Sequence, residues 1–260
     1  MGYFIRNIIK YREYIMYSAK AQLKAEISNS AIGCIWWVLE PTLFMFIYLF
    51  VYAVVFRTQT EYIVLIINVG LVYWGFFNRC LVSSIKMVKR NRPMISMIYI
   101  PKFVFICSSM IVNFVKMLCA VVPVVGLVIW YKIHVTLKAL MIIPVTLMFF
   151  VVVFSLCCWL MHIGVYSDDT ERIVPVALRM LFFLSGVFYP IDTKFGTDEA
   201  HIMLLLNPVA TTLTDVRNSL IYGSDCHWYQ LGLQTGIAFV LAVIALIVIK
   251  KKESQYIKVV

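Results

Sequence analysis

Four ionisable residues interrupt stretches of sequence that are otherwise apolar: Glu40, Arg79, Lys116 and Arg179. If those stretches cross a bilayer, each charge costs roughly 2.5–3.5 kcal/mol at the centre of the hydrocarbon. Such side chains face a bundle interior, a water-filled path or one another. Three cations against one anion leave a positive surplus, which suits a cargo bearing phosphate or other acidic groups. Arg79 stands close to one end of its stretch and can snorkel. Lys116 and Arg179 sit deeper by sequence count. Flat aromatic faces are the second chemical resource, with 6 Trp, 15 Tyr and 18 Phe. Trp36, Trp37, Trp74, Trp130 and Trp228 fall near the ends of the apolar stretches, where an interfacial aromatic belt is the ordinary arrangement. The other use of such faces is stacking on sugar rings along a path. Trp36, Trp37, Tyr48 and Trp74, with Glu40, Lys116 and Arg179, are the candidates for lining one.

Catalytic patterns are missing. The chain has no G-x-x-x-x-G-K-[ST] loop for nucleotide phosphates, no H-E-x-x-H and no G-x-S-x-G. His134, His162, His201 and His227 show no ligand spacing. The seven cysteines are scattered, without a C-x-x-C pair, and read as small buried hydrophobes. No metal site is expected. Asp168, Asp169 and Glu171 form one acidic cluster, which reads as a solvated turn or a contact for a basic partner.

The elements that must hold these residues follow from composition. The chain has 260 residues, of which 62% are hydrophobic and 14% charged. Its mean hydropathy is +0.89. A soluble domain is nearer half apolar and a quarter charged. One buried core of this size cannot absorb such an excess, so the sequence predicts an all-α integral membrane protein. Apolar stretches run over 33–56, 62–82, 103–131, 139–165, 173–191 and 229–249. Each is long enough to cross about 30 Å of hydrocarbon, some with tilt, which predicts six spans. The stretches are continuous, not alternating, which disfavours a strand barrel.

The net charge of +10 would point to nucleic acid in a soluble protein. Here its distribution argues for topology instead. With the N-terminus placed in the cytoplasm, fifteen of the Lys and Arg fall on inside segments, five outside and three within spans. The inside rule then puts both termini in the cytoplasm. Residues 1–30 lack the continuous apolar core of a cleavable leader. Phe4, Ile8, Tyr11, Ile15 and Ala19 recur at helical spacing against Arg6, Lys10, Glu13, Lys20 and Lys24, predicting an amphipathic helix along the membrane surface.

Two connections carry more than a plain loop. The inside segment 86–102 begins basic, ends apolar and holds Pro93 and Pro101, which bracket a short helix. Exposed apolar residues beside cations would suit docking to a cytoplasmic partner. The outside segment 192–223 breaks at Asn207-Pro208. Asn207 suits a helix N-cap, Pro208 the first helical position and Gly223 the residue past the end. Two short helices that dip into the outer interface are expected, at a gate or cavity mouth.

The order of motifs resembles the permease subunits of ABC-type polysaccharide exporters, the type-2 ABC exporter family. Ser30-Ala31-Ile32-Gly33-Cys34-Ile35-Trp36-Trp37 with Glu40-Pro41 resembles the opening of the family's first span. Gly70-Leu71-Val72-Tyr73-Trp74-Gly75-Phe76-Phe77 is similar to its second-span signature. Tyr99-Ile100-Pro101 resembles the close of its inside loop. Ser185-Gly186-Val187-Phe188-Tyr189-Pro190, Asn207-Pro208, Arg217 and Tyr222-Gly223 resemble its fifth-span end and outer helices. The resemblance implies a homodimer working with two separate ATPase subunits that bind ATP and Mg, with no cofactor in this chain. It implies a path for a lipid-linked polysaccharide of O-antigen, capsule or teichoic-acid type across the bacterial inner membrane. It implies a coupling helix at Arg92–Pro101, with Arg92, Met94, Ile98, Tyr99 and Ile100 as contact candidates, and an outer gate involving Tyr189, Asn207, Pro208 and Arg217. Cys34, Arg79 and Lys116 depart from the family pattern and inherit no role. A sibling permease for a drug or small lipid, and a membrane-embedded enzyme of lipid-sugar metabolism, are the alternative readings.

Overall fold

The computed structural model describes residues 2–28, 32–56, 62–97, 100–191 and 196–259. Among these there is no strand. Two N-terminal helices, α1 (Gly2–Lys10) and α2 (Arg12–Ser28), precede α3 (Ile35–Val51), which continues through a π turn at Tyr52–Phe56. Next come α4 (Ile63–Ile85), the short α5 (Met87–Arg90) and α6 (Arg92–Met97), and α7 (Phe103–Trp130). A 3₁₀ turn (Leu137–Met141) leads into α8 (Ile142–Tyr166), followed by α9 (Thr170–Leu184). Two short helices, α10 (Thr197–Leu206) and α11 (Pro208–Arg217), then lead through a π turn (Asn218–Tyr222) to α12 (Trp228–Val259).

Five of these are long and apolar enough to cross a membrane: Ile35–Val54, Ile63–Ile85, Phe103–Trp130, Leu137–Tyr166 and Trp228–Glu253. The expected fifth span, 173–191, is shorter than the sequence predicts. Its helix α9 has 15 residues, or about 22 Å at 1.5 Å per residue, against about 30 Å of hydrocarbon. The chain turns at Ser185–Pro190 because Gly186 takes φ +61, a left-handed conformation that ends the helix.

Helix α4 is the centre of the bundle. Leu65, Ile66, Ile67 and Phe76 on it are fully buried, and it packs on α3, α7, α8, α9 and α11. Neutral hydroxyl pairs join it to its neighbours: Tyr73 Oη to Thr146 Oγ1 on α8 at 2.7 Å and Ser83 Oγ to Ser109 Oγ on α7 at 3.0 Å. Such pairs satisfy polar groups where no water reaches them. α8 and α12 pack along each other, and Trp159 donates to the Leu241 carbonyl at 3.2 Å.

Helix α2 packs along α7. Tyr14 meets Phe105 edge-on at 6.1 Å, Ser108 donates to the Ile15 carbonyl at 3.4 Å, and Glu26 reaches Lys116 at 2.6 Å. Lys116 is thirteen residues into α7, about 20 Å along its axis. The pairing ties α2 to α7 well beyond the start of α7. Each charge neutralises the other, so α2 can follow α7 past its first turns.

Candidate functional site

A groove of about 580 Å³ opens between α3, α4 and α9. Pro41, Phe44, Tyr48, Trp74, Phe182 and Phe183 supply its apolar and aromatic walls. Tyr48 packs on Phe182 at 5.4 Å and stacks on Phe188 at 5.9 Å, and Trp74 meets Phe182 edge-on at 5.3 Å. Glu40, Arg79 and Arg179 are the charged groups among its lining residues, with Asn78 beside them. Arg79 Nη1 stands 4.0 Å from Glu40 Oε2, a long contact that leaves the guanidinium largely uncommitted to it. Gly75, one turn before Arg79, makes room for that guanidinium. A Cβ at Gly75 would lie 3.2 Å from Arg79 Nη1, tighter than ordinary packing.

Four of the seven path candidates therefore meet in one groove: Glu40, Tyr48, Trp74 and Arg179. The other three lie outside it. Lys116 is bound to Glu26 and lies 6.0 Å from the Trp37 ring centroid. It ties α2 to α7, and Trp37 covers the pair as a cation–π partner. Trp36 is exposed on the outer face of α3. Arg79, Asn78, Phe182 and Phe183 are lining residues that sequence reasoning did not select. The available signal for Arg79 was the glycine at i−4, which clears a space one turn away on the same helix face.

The basic end of the bundle is held by two ion pairs, Lys86 with Glu171 and Lys89 with Asp168. The acidic cluster is thus an internal contact for segment 86–102. A hydrogen bond from Lys89, then its charge, holds the Asp168 carboxyl below its ordinary value. A depressed folded value gives stabilisation that is present above the ordinary carboxylate range and is lost as pH falls through it. Both partners are exposed, so the effect is small. Hydrogen-exchange protection of the α5 amides should fall by roughly two- to fivefold below about pH 4. Asp168→Asn should show lower protection already at pH 7 and a smaller step on acidification, because the Lys86–Glu171 pair remains.

Within that end, Arg92 and Met94 are exposed, and Met97 is 83% exposed. Tyr14 Oη lies 2.8 Å from Met94 Sδ, which joins α2 to α6. Ile98 and Tyr99 lie outside the described residues. Ile100 is a correction: it is 3% exposed and belongs to the core with Ile95, so it presents no docking surface. The family resemblance selected it, whereas its burial depends on neighbours distant in sequence. Met97 takes its place as the exposed apolar position.

The gate candidates are joined into one structure at the opposite end. Asn207 caps α11, its Oδ1 accepting from Val209 N at 3.1 Å and Ala210 N at 3.3 Å, with Pro208 in the first turn. Its Nδ2 donates to Ser185 Oγ at 2.9 Å, so one side chain closes α9 and starts α11. Tyr189 Oη donates to the Phe183 carbonyl at 2.8 Å. Arg217 is 3% exposed and donates to the carbonyls of Ile66, Gly186, Val187 and Tyr189. Asp215, fully buried, accepts from His227 N at 3.0 Å and lies 2.7 Å from its Nδ1. Gly223 takes φ +58 past the π turn, as its expected place beyond the helix requires. No cluster of three or more metal-ligating side chains occurs among the described residues.

The chain that builds this charged, aromatic groove, beside the membrane-length helices α3 and α4, has relatives. Residues 13–221 match the ABC-2 type transporter family. The chain belongs to that family. As an ABC-2 type transporter it is a multi-pass membrane protein and a transporter rather than an enzyme. The matched region runs from α2 through the π turn after α11 and includes every residue lining the groove. The chain is similar to the O-antigen export system permease protein RfbA of Myxococcus xanthus, with 25% identity over 81% of each chain. It is also similar to RfbA proteins of the same description from Klebsiella pneumoniae, with 21% and 22% identity over 91% of each chain.

Proposed function

We propose that this ABC-2 family chain exports a lipid-linked polysaccharide across the bacterial inner membrane, as the permease of a complex whose ATP is hydrolysed by separate subunits. The groove between α3, α4 and α9 carries the reading. It offers aromatic faces for sugar rings and charges for a polar group, at a place where isolated charges would be costly. Relatives named for O-antigen export, covered over most of their length, support the glycan over a drug or small lipid. Two copies of the chain enclose the path. The exposed apolar residues Leu43, Phe44, Phe46, Ile47 and Phe50 on α3 give the second copy a surface beside the groove.

In this reading both termini are cytoplasmic, and ATP and Mg reside on two copies of the ATPase. Closure of the ATPase pair moves α6 and, through the ion pairs of segment 86–102, the turn before α9, a rigid-body transition. Deleting the gene should abolish surface polymer while its lipid-linked precursor accumulates inside. Loss of the precursor itself would overturn export as the function. The docking surface is tested separately. Met94→Asp with Met97→Asp should reduce ATPase co-purification at least tenfold while the chain still folds, because both positions are exposed. Unchanged co-purification and unchanged export would place the contact elsewhere.

A further inference from the structure

The groove contains a chemical detail that export of a neutral glycan does not require. Two arginines, Arg79 and Arg179, and one glutamate, Glu40, line the groove, leaving one net positive charge among apolar helices. Arg79 Nε is buried and has no hydrogen-bond partner. The Arg79–Glu40 contact, at 4.0 Å, is too long for a hydrogen bond. Arg179 is exposed to the groove from α9. An unmatched cation among apolar helices is costly unless something compensates it. The walls around it are apolar and aromatic.

We infer that Arg79 and Arg179 bind the phosphate or diphosphate group of an amphiphile, with Glu40 as the counter-ion that the phosphate displaces. Guanidinium forks match phosphate oxygens in geometry as well as in charge. The aromatic wall from Phe44 and Tyr48 to Phe183 lies where the adjoining apolar or sugar portion would rest. Gly75 contributes by leaving the space in which the Arg79 fork turns. The inference rests on the export reading and adds which part of the cargo this groove holds. It also gives Glu40 a role whose sign can be measured. Glu40 competes with the ligand, so removing its charge should tighten binding, whereas removing either arginine should weaken it.

The test uses the full-length chain in phosphatidylcholine nanodiscs, which keep other anionic lipids out. Equilibrium binding of radiolabelled farnesyl diphosphate is compared with that of inorganic pyrophosphate and farnesol. Arg79→Gln and Arg179→Gln should each weaken farnesyl diphosphate binding at least tenfold. Glu40→Gln should strengthen it about threefold or more, and added salt should weaken it in the wild type. Opposite signs at Arg79 and Glu40 are not produced by a general loss of folding. Arg79→Lys, which keeps the charge without the fork, should fall between wild type and Arg79→Gln. Pyrophosphate binding with the same arginine dependence would make the source a free phosphate; its absence would make it a lipid-borne one. Equal binding by wild type and both glutamine variants, or farnesol binding as tightly as the diphosphate, would overturn the site. Either result would leave the export reading standing, because that reading fails only if the deletion strain retains surface polymer or loses the precursor.

Discussion

Arg217→Leu should yield no folded protein, and Arg217→Lys should lower the melting temperature by roughly 10 °C or more. Arg217 joins three parts of the chain. From the end of α11 its Nε and Nη2 reach the Ile66 carbonyl on α4 at 3.2 and 2.9 Å. Its Nη1 reaches Gly186 O at 2.9 Å and Tyr189 O at 3.4 Å, and its Nη2 reaches Val187 O at 2.6 Å. The turn that ends α9 thus has its carbonyls satisfied by a side chain about thirty residues later in the sequence. Each buried carbonyl left without a donor costs about 1–3 kcal/mol. Loss of several together approaches the whole stability of a domain, about 5–15 kcal/mol. Lysine keeps the charge but offers a compact ammonium in place of a fork, and cannot serve four carbonyls spread around it.

Gly70→Ala tests the same contact from the other side. A Cβ there would stand 2.2 Å from the Val187 carbonyl oxygen and 2.6 Å from Arg217 Nη2, so helix and turn would have to separate. Melting of the detergent-solubilised chain, with gel filtration for monodispersity, reads both. Arg217→Leu that purifies as a single species with an unchanged midpoint would show that the staple contributes little.

How much of this was legible in the sequence depends on the range of the interaction. The third apolar stretch, 103–131, and helix α7, Phe103–Trp130, nearly coincide, because helix length and hydropathy are local properties. The Asn207–Pro208 start of α11 was legible for the same reason: cap and first turn are adjacent residues. The end of α9 was read too late, at 191, because apolar composition continues through the turn while the backbone does not. The roles of the charges were least legible. Lys116 was a path candidate because its own neighbours are apolar, yet its partner Glu26 lies ninety residues earlier. Arg79 was set aside as close to a span end, and only the fold brings Glu40 and Arg179 to it. Ile100 failed for the same reason in reverse, since an apolar residue in a basic loop has a core beneath it. Local pattern shows which residues are costly to leave alone, and the fold decides what relieves them.

The second large effect is expected where the loop after α6 meets the end of α12. Lys102 is 1% exposed, and its Nζ lies 3.6 Å from Glu253 Oε1 and 3.4 Å from the Ile100 carbonyl. Burial pushes the Lys102 ammonium below its ordinary value, and the Glu253 charge pulls it partly back. The pair joins residues that stand on either side of most of the fold, and α12 also touches α6. Removing one partner leaves the other charge buried, which typically costs about 3–5 kcal/mol. Lys102→Met should therefore lower the melting temperature by roughly 10 °C. Glu253→Gln should cost less, because the amide still accepts a hydrogen bond and the ammonium can deprotonate. Replacing both, Lys102→Met with Glu253→Leu, should recover most of the loss, since a buried ion pair and an apolar pair of similar volume differ little in stability. The pH dependence gives an independent sign. A lysine depressed in the folded state binds fewer protons there than when unfolded, so wild-type stability rises as pH climbs toward the ordinary lysine value. That rise should vanish in Lys102→Met. Melting curves of the two single variants and the double variant from pH 7 to pH 10 decide the point. Additive losses in the double variant, with the alkaline rise retained in Lys102→Met, would show that the two side chains act independently.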